Sequence, residues 1–467
     1  MKRDRQRQAF LGWLGAVLMS AAVGLLLLLA VPGTLAQSTV PYFSRLAPVC
    51  IYAGVVMIIA AAVLLLAGAV VWAIRHKLHY GIRYALRHAW LVAHIRRALF
   101  ETEGAYAIRQ GSELVTIPRV RLELSRRDLL RGKVALSNHI KFDSALSKLN
   151  LSPALGRYVT TRSYQSPTGN AWVFEFADAT TVFEQITFET PDALYLFAEK
   201  APAYHLRLDA HTTVPLTTTV ISGTVGSGKS YYVFYLLLSL LHWDPPPIIY
   251  FADKKRSGLN VAGRYLCPSR TANSIEGIIA LLEEFSEKME ERKAVMAGKL
   301  DERLDGSYSD WELPPIIFMF EELAAFMVAL DKKEAERVNR VLREVVLEGR
   351  QLGVFLFMVM QKTDSTTLPT AIRDNTPLKV CLGNAPDTTY VTLFEHTNVP
   401  NFDYKTGQGV YSLFESVPDV LAAPTMKFDP GVEFKRLGQL HDTTTSAPPP
   451  CEAKGGGAPL CQNTSEP

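Results

Sequence analysis

The chain has 467 residues, 48% hydrophobic and 20% charged, with a net charge of +3. Its length allows about three domains and a large core, and its apolar share is high for a chain lying wholly in water. Five cysteines without a C-x-x-C pair exclude a disulfide scaffold and a cysteine metal cluster, and the near-neutral balance excludes a protein that is basic throughout.

The charge is unevenly placed. Residues 1–74 carry +4 and residues 75–135 carry +8, which leaves −9 for the remainder. Phe10 to Val31 and Val49 to Ile74 are uncharged apolar stretches of 22 and 26 residues, each long enough to cross a bilayer. A cleaved signal peptide is the alternative for the first, although its apolar run is longer than such peptides use. The segment Pro32 to Pro48 between them holds one basic residue, whereas Lys2, Arg3, Arg5 and Arg7 precede the pair and Arg75, Lys77, Arg83 and Arg87 follow it. The positive-inside rule therefore predicts a multi-pass protein of the cell membrane with both termini in the cytoplasm.

Arg75 to Phe100 reads as a basic helix with Tyr80, Tyr84, Trp90 and Leu91, expected to leave the bilayer along its surface against anionic headgroups. Period-2 alternation over Leu114–Leu124, and strand character over Tyr158–Arg162, Ala171–Phe176 and Thr181–Phe188, predict a small β-rich domain. Pro167-Thr168-Gly169-Asn170 is its hairpin turn.

Beyond it, short apolar strands alternate with helices. Strands are expected at Thr217–Ile221, Pro247–Ala252, Pro315–Phe320, Val354–Met360, Leu378–Leu382 and Gly409–Leu413, with helices at Tyr231–Trp243, 274–300 and Asp331–Arg350. This alternation defines the α/β class, with a mostly parallel sheet covered on both faces. From Gly438 the composition turns to Thr, Ser, Pro and Gly, which predicts a disordered tail. The expected organisation is a transmembrane helical hairpin over 1–74, a juxtamembrane helix and β-rich domain over 75–204, an α/β nucleotide-binding domain over 205–437 and the tail over 438–467.

Gly223-Thr224-Val225-Gly226-Ser227-Gly228-Lys229-Ser230 matches the phosphate-loop pattern G-x-x-x-x-G-K-[ST] where a strand turns into a helix. Backbone amides and the helix dipole converge there on anionic oxygens. The three glycines let the main chain approach a phosphate. Lys229 is expected on the β- and γ-phosphates of ATP, and the Ser230 hydroxyl on Mg²⁺. Glu321-Glu322, at the C-terminal end of a buried strand, supply a magnesium carboxylate (Glu321) and a base or water-positioning group (Glu322). Gln361, at the tip of the next long strand, is a candidate γ-phosphate or water contact. Arg350 closes a helix, where a cation also suits the dipole, and is a candidate for reaching a neighbouring subunit's nucleotide.

These blocks carry a resemblance. The phosphate loop, Ala252-Asp253-Lys254-Lys255, Phe320-Glu321-Glu322-Leu323-Ala324, Gly349-Arg350-Gln351-Leu352-Gly353-Val354 leading to Gln361, and Ile372-Arg373-Asp374-Asn375-Thr376-Pro377 before Gly407-Gln408-Gly409 resemble the FtsK/SpoIIIE-type DNA translocases. The resemblance spans about residues 205 to 425. It implies a RecA-like P-loop ATPase that assembles as a homo-hexamer and pumps DNA. Glu321 stands where that family has Asp, Met360 where it has Thr, and Lys379 where it commonly has Arg. The hairpin, the intervening domain and the lack of an evident winged-helix module are similar to coupling proteins of Gram-positive conjugative transposons. That likeness implies delivery of relaxase-bound DNA to a type IV secretion channel. A double-stranded DNA pump for chromosomes or plasmids, and a membrane scaffold that binds nucleotide without cleaving it, are the alternatives.

Overall fold

The computed structural model describes residues 3–36, 41–101, 108–110, 114–140, 142–301, 303–361, 369–396, 399–400 and 402–445. The chain divides into two units: Met1–Gln185 with Gly223–Ser227 and Pro377–Ala423, and Ile186–Ser222 with Gly228–Thr376 and Pro424–Pro467.

In the first unit, the two apolar stretches form helices α1 (Arg5–Ala36) and α2 (Pro41–Arg75). Both are long and apolar enough to cross a membrane, over Phe10–Leu29 and Pro48–Arg75. They pack through small residues: a Cβ on Gly54 would lie 2.8 Å from the Gly24 carbonyl oxygen, and the Ser20 hydroxyl donates to the Met57 carbonyl at 3.2 Å. Small residues allow such close backbone approach between apolar helices.

Helix α3 (Ile82–Glu101) departs from the sequence reading. Its stripe of Tyr84, His88, Leu91, Ile95 and Leu99 is buried, and what covers it is a sheet, with Leu122, Val134, Leu136 and Phe174 in the same core. An apolar helix face suits protein and lipid alike, so periodicity alone does not choose between them. Strands β1 (Val120–Leu124), β2 (Arg131–Ser137), β3 (Tyr158–Gln165) and β4 (Ala171–Asp178) form this antiparallel sheet in the order β1-β2-β4-β3. The expected hairpin turn is present, with Gly169 at φ 69°. The strand expected over Thr181–Phe188 is replaced by a short helix, Ala179–Val182, followed by a two-residue strand, Thr187–Phe188. Asp178 caps that helix, accepting from the Thr180 amide at 3.1 Å. The strand expected over Leu114–Leu124 is split: Leu114–Thr116 pairs with Arg3–Asp4 and Ile108–Gln110 in a separate small sheet, and only Val120–Leu124 joins β2. Three further strands of the unit, Leu378–Leu382, Gln408–Leu413 and Asp419–Ala422, are antiparallel neighbours in that order.

The second unit holds the parallel sheet. Its principal elements are α4 (Pro191–Ala198), β5 (Thr219–Gly223), α5 (Lys229–Leu241), β6 (Ile248–Asp253), α6 (Gly258–Leu266), α7 (Ile275–Leu300), β7 (Ile316–Glu321), α8 (Leu323–Val328), α9 (Lys332–Leu352), β8 (Val354–Met360) and α10 (Pro430–Thr445). The strand order is Thr271–Ala272, β6, β7, β8, β5, with every pairing parallel. Strand β8 is buried along its whole length, as expected where helices cover both faces. Helix α9 starts with a reciprocal cap: Asp331 accepts from the Glu334 amide at 2.8 Å and Glu334 accepts from the Asp331 amide at 2.9 Å. It ends at Gly353, whose φ of 74° turns the chain into β8.

Helix α10 runs to Thr445, past the Gly438 at which the composition predicts a tail. Its anchor is a buried tie: the Tyr195 hydroxyl on α4 donates to Glu433 at 2.6 Å, and Arg436 holds the same carboxylate. The rest of the predicted tail, 446–467, lies outside the described residues.

Candidate functional site: a glycine loop and two glutamates

The loop leaving β5 adopts a conformation that only glycine takes cheaply at two positions, Gly226 at φ 82° and Gly228 at φ 89°. Gly228 is the N-cap of α5, so the helix begins at Lys229, two residues earlier than expected. The first amides of a helix have no partner within it, and they point at the space above the loop. Val225 stands 87% exposed at the tip. The Ser227 hydroxyl is buried without a protein partner, and Ser230, with Thr224, is exposed. A loop of amides with an orphaned hydroxyl suits phosphate oxygens.

The strand order explains what faces Lys229. Glu321 on β7 is in register with Asp253 on β6 and with Val359 on β8, while Met360 on β8 is in register with Ser222 on β5. Asp253, Glu321 and Gln361 therefore reach one edge of the sheet, the edge at which β5 gives way to the loop. Strand β8 separates β5 from β7, which sets Gln361, exposed directly after Met360, between them.

Glu321 and Glu322 differ sharply despite being adjacent. Burial pushes the Glu321 carboxyl up to about 7; Lys229 opposes the shift, Asp253 and Glu322 add to it, and Lys255 opposes it. Burial also lowers the Lys229 ammonium, against the pull of Glu321 and then Glu322. Three carboxylates (Asp253, Glu321 and Glu322) and two ammonium groups (Lys229 and Lys255) thus act on one another, and burial of Glu321 outweighs the positive charge beside it. Glu322 leaves the strand at φ 57°, its amide donating to the Val359 carbonyl at 2.8 Å. Its carboxylate lies 3.3 Å from the Lys255 ammonium.

Asp253 is buried and saturated: it accepts from the amides of Lys255, Ser257 and Asn260 at 3.0, 2.6 and 3.2 Å and from the Ser257 hydroxyl at 2.6 Å. It shapes the loop after β6 and has no lone pair in evident surplus for a ligand. Lys255 enters the site although the sequence gave it no role beyond membership of the block Ala252-Asp253-Lys254-Lys255; only the strand order brings it to Glu322.

Arg350 does not join this group. It lies one turn before β8 begins, at the opposite edge of the sheet from Met360. Seven strand residues at about 3.3 Å each put roughly 20 Å between the two edges, so Arg350 serves no ligand at its own chain's loop.

Among the described residues no group of three or more His, Cys, Asp or Glu is placed to hold a metal. A magnesium ion with a nucleotide does not need one, because it takes a hydroxyl, one or two carboxylates, phosphate oxygens and waters. The undercompensated Glu321 and the exposed Ser230 fit that donor set.

The glycine loop, the α/β layering and the strand order define a RecA-like P-loop NTPase domain. Over 191 residues, 41% of the chain, the sequence is 28% identical to the FtsK domain-containing protein YdcQ of Bacillus subtilis (strain 168), and the match spans 39% of that protein's length. The chain is thus homologous to an FtsK domain-containing protein over that region. No protein-family model matches it. Among solved structures, it is similar to the pCW3 conjugation coupling protein TcpA in monomer form with ATPγS, at 15% identity and a TM-score of 0.49, covering 76% of this chain and 99% of that one. It is also similar to EssC (ATPases 2 and 3) from Geobacillus thermodenitrificans, at 16% identity and a TM-score of 0.37, covering 62% and 50%.

Proposed function

We propose that the protein is a membrane-anchored, ATP-driven DNA translocase, working as the coupling protein that passes relaxase-bound DNA to a conjugative type IV secretion channel. The observation that carries the reading is the meeting of Lys229 with Glu321 and Glu322 at one sheet edge, in a chain that is homologous to an FtsK domain-containing protein and has two helices able to cross a membrane. The residue blocks resembling the FtsK/SpoIIIE-type DNA translocases support the DNA part of the reading, and the apolar helix pair followed by a small intervening domain, an arrangement similar to that of conjugative coupling proteins, supports the transfer part.

In this reading the amides of Gly223–Ser230 and the Lys229 ammonium hold the triphosphate, while Ser230 and Glu321 hold Mg²⁺. ATP held there would supply the phosphoanhydride bond to be cleaved, and the Mg²⁺ ion would bring positive charge to the buried Glu321 carboxylate. Glu322 orients the attacking water and accepts its proton, and the Gln361 amide contacts the γ-phosphate or that water. The buried setting strengthens each of these charges. The chain works as a homo-hexamer in the membrane, with DNA, the relaxase and the channel proteins as partners.

The test is phosphate release by the full-length protein in detergent or nanodiscs, with Mg²⁺ and either single-stranded DNA, duplex DNA or neither. Turnover raised by single strands supports the coupling protein. A response to duplex alone indicates the double-stranded pump. Glu321 in place of aspartate favours a second reading, a nucleotide-binding scaffold, which is the conclusion if no condition exceeds the Glu322→Gln control.

A further inference from the structure

The loop between β6 and α6 carries Lys254, Lys255 and Arg256 in succession, in a part of the chain whose overall charge is negative. Asp253 fixes its backbone through three amides and the Ser257 hydroxyl, and Arg256 sits at φ 56°. The loop is therefore held in shape while the side chains of Lys255 and Arg256 stand exposed. The Lys255 side chain is 49% exposed, yet its ammonium lies 3.3 Å from Glu322, whose side chain is 10% exposed.

One flexible side chain thus connects a solvent-facing basic loop to the buried carboxylate at the centre of the ATPase reading, on which this inference rests. The Glu322 backbone cannot easily yield, being tied to Val359. The Lys255 chain can, since an ion pair with one half-exposed partner is weak and a phosphate diester competes for the ammonium. While the pair stands, an oxygen of Glu322 is occupied by an ammonium instead of a water.

We propose that Lys255 is a positioning residue that holds Glu322 at rest, and that the phosphates of a nucleic-acid strand arriving at the Lys254–Arg256 loop draw Lys255 away and free Glu322 to orient water. Contact with the strand is thereby coupled to cleavage through one side chain. No bond is made or broken in this step; one ammonium exchanges a carboxylate for a phosphate.

The experiment measures phosphate release by the full-length protein in nanodiscs, with and without a single-stranded oligonucleotide, for the wild type, Lys255→Ala, Lys255→Arg and Glu322→Gln. The wild type is expected to be slow alone and accelerated several-fold by the oligonucleotide. Lys255→Ala is expected to run without the oligonucleotide at or above the accelerated wild-type rate and to gain little from it. Lys255→Arg, which keeps the charge, restores the dependence, and Glu322→Gln is inactive throughout. If Lys255→Ala keeps the wild-type acceleration, or loses both rates in proportion, the ammonium merely balances charge and the proposal falls. A wild type that turns over without acceleration also overturns it while leaving the ATPase reading in place. A wild type with no turnover at all withdraws both.

Discussion

Glu322 occupies φ 57°, a region where a side chain is strained and glycine is not. The strain persists because the amide must meet the Val359 carbonyl while the carboxylate stays with Lys255. Glu322→Gly is therefore expected to keep or raise the unfolding midpoint, with a gain of about 1 kcal/mol from relieved strain, while reducing ATP turnover by roughly a hundredfold or more. Thermal unfolding and phosphate release on one preparation check this, and a large loss of stability would contradict it. His88 gives a residue-scale prediction remote from the site. Burial pushes its imidazole down to about 4, the charge of His76 adds to this, the Leu122 carbonyl opposes it, and Lys77 and Arg75 contribute further. Unfolded, the ring takes up a proton near its ordinary 6.5; folded, it resists until about 4. The stabilisation from a neutral His88 is thus complete above 6.5 and is lost as pH falls toward 4, amounting to at most about 3 kcal/mol. Unfolding midpoints measured from pH 7.5 down to 5 are expected to drop for the wild type and to drop less for His88→Gln.

At the scale of elements, the hairpin of α1 and α2 rests on close approach at Gly24 and Gly54, since lipid gives apolar helices no hydrophobic reason to associate. Gly54→Leu would drive a side chain into the Gly24 carbonyl and the Leu28 amide. In a Cys50→Ser background, Ser20→Cys with Met57→Cys is expected to cross-link readily on oxidation, and adding Gly54→Leu is expected to cut the yield severalfold. Unchanged yield would mean the glycines do not set the contact. What was legible in the sequence follows the same logic of local pattern. The loop before α5 and the glutamate pair at the end of β7 stand out in the sequence because a G-x-x-x-x-G-K-S run and an acid pair closing an apolar strand are local patterns that need no distant partner to be seen. The strand Arg131–Ser137 was missed because its run of Arg, Gly, Lys and Ser shows little alternation, and its place is decided by pairing with β1 and β4. The setting of α3 and the extension of α10 beyond Gly438 were also missed, since an apolar face and a Tyr195–Glu433 tie each need a partner far along the chain. The same holds for Lys255, whose partner sits at the end of a neighbouring strand.

For the whole molecule, the placement of Arg350 constrains how turnover is organised. The residue lies in the last turn of α9 ahead of β8, whereas Glu321 and Gln361 lie where β8 ends. A cation that helps catalysis from there acts on another copy's ligand, which a head-to-tail ring provides because each interface joins two different faces. Such a ring makes a prediction that no single-chain site does. Lys229→Ala protein lacks its own phosphate contact but retains Arg350, and Arg350→Ala protein has the reverse defect. Each alone is expected to be nearly inactive. Co-assembled in equal amounts, about one quarter of interfaces pair an intact loop with an intact arginine, so phosphate release is expected to recover to a measurable fraction of the wild-type rate. Co-expression with two different affinity tags, followed by sequential purification, yields the mixed assembly for that assay. If the mixed protein stays as inactive as its parents, Arg350 contributes to packing at the end of α9 and the trans-acting cation must be sought elsewhere in the chain.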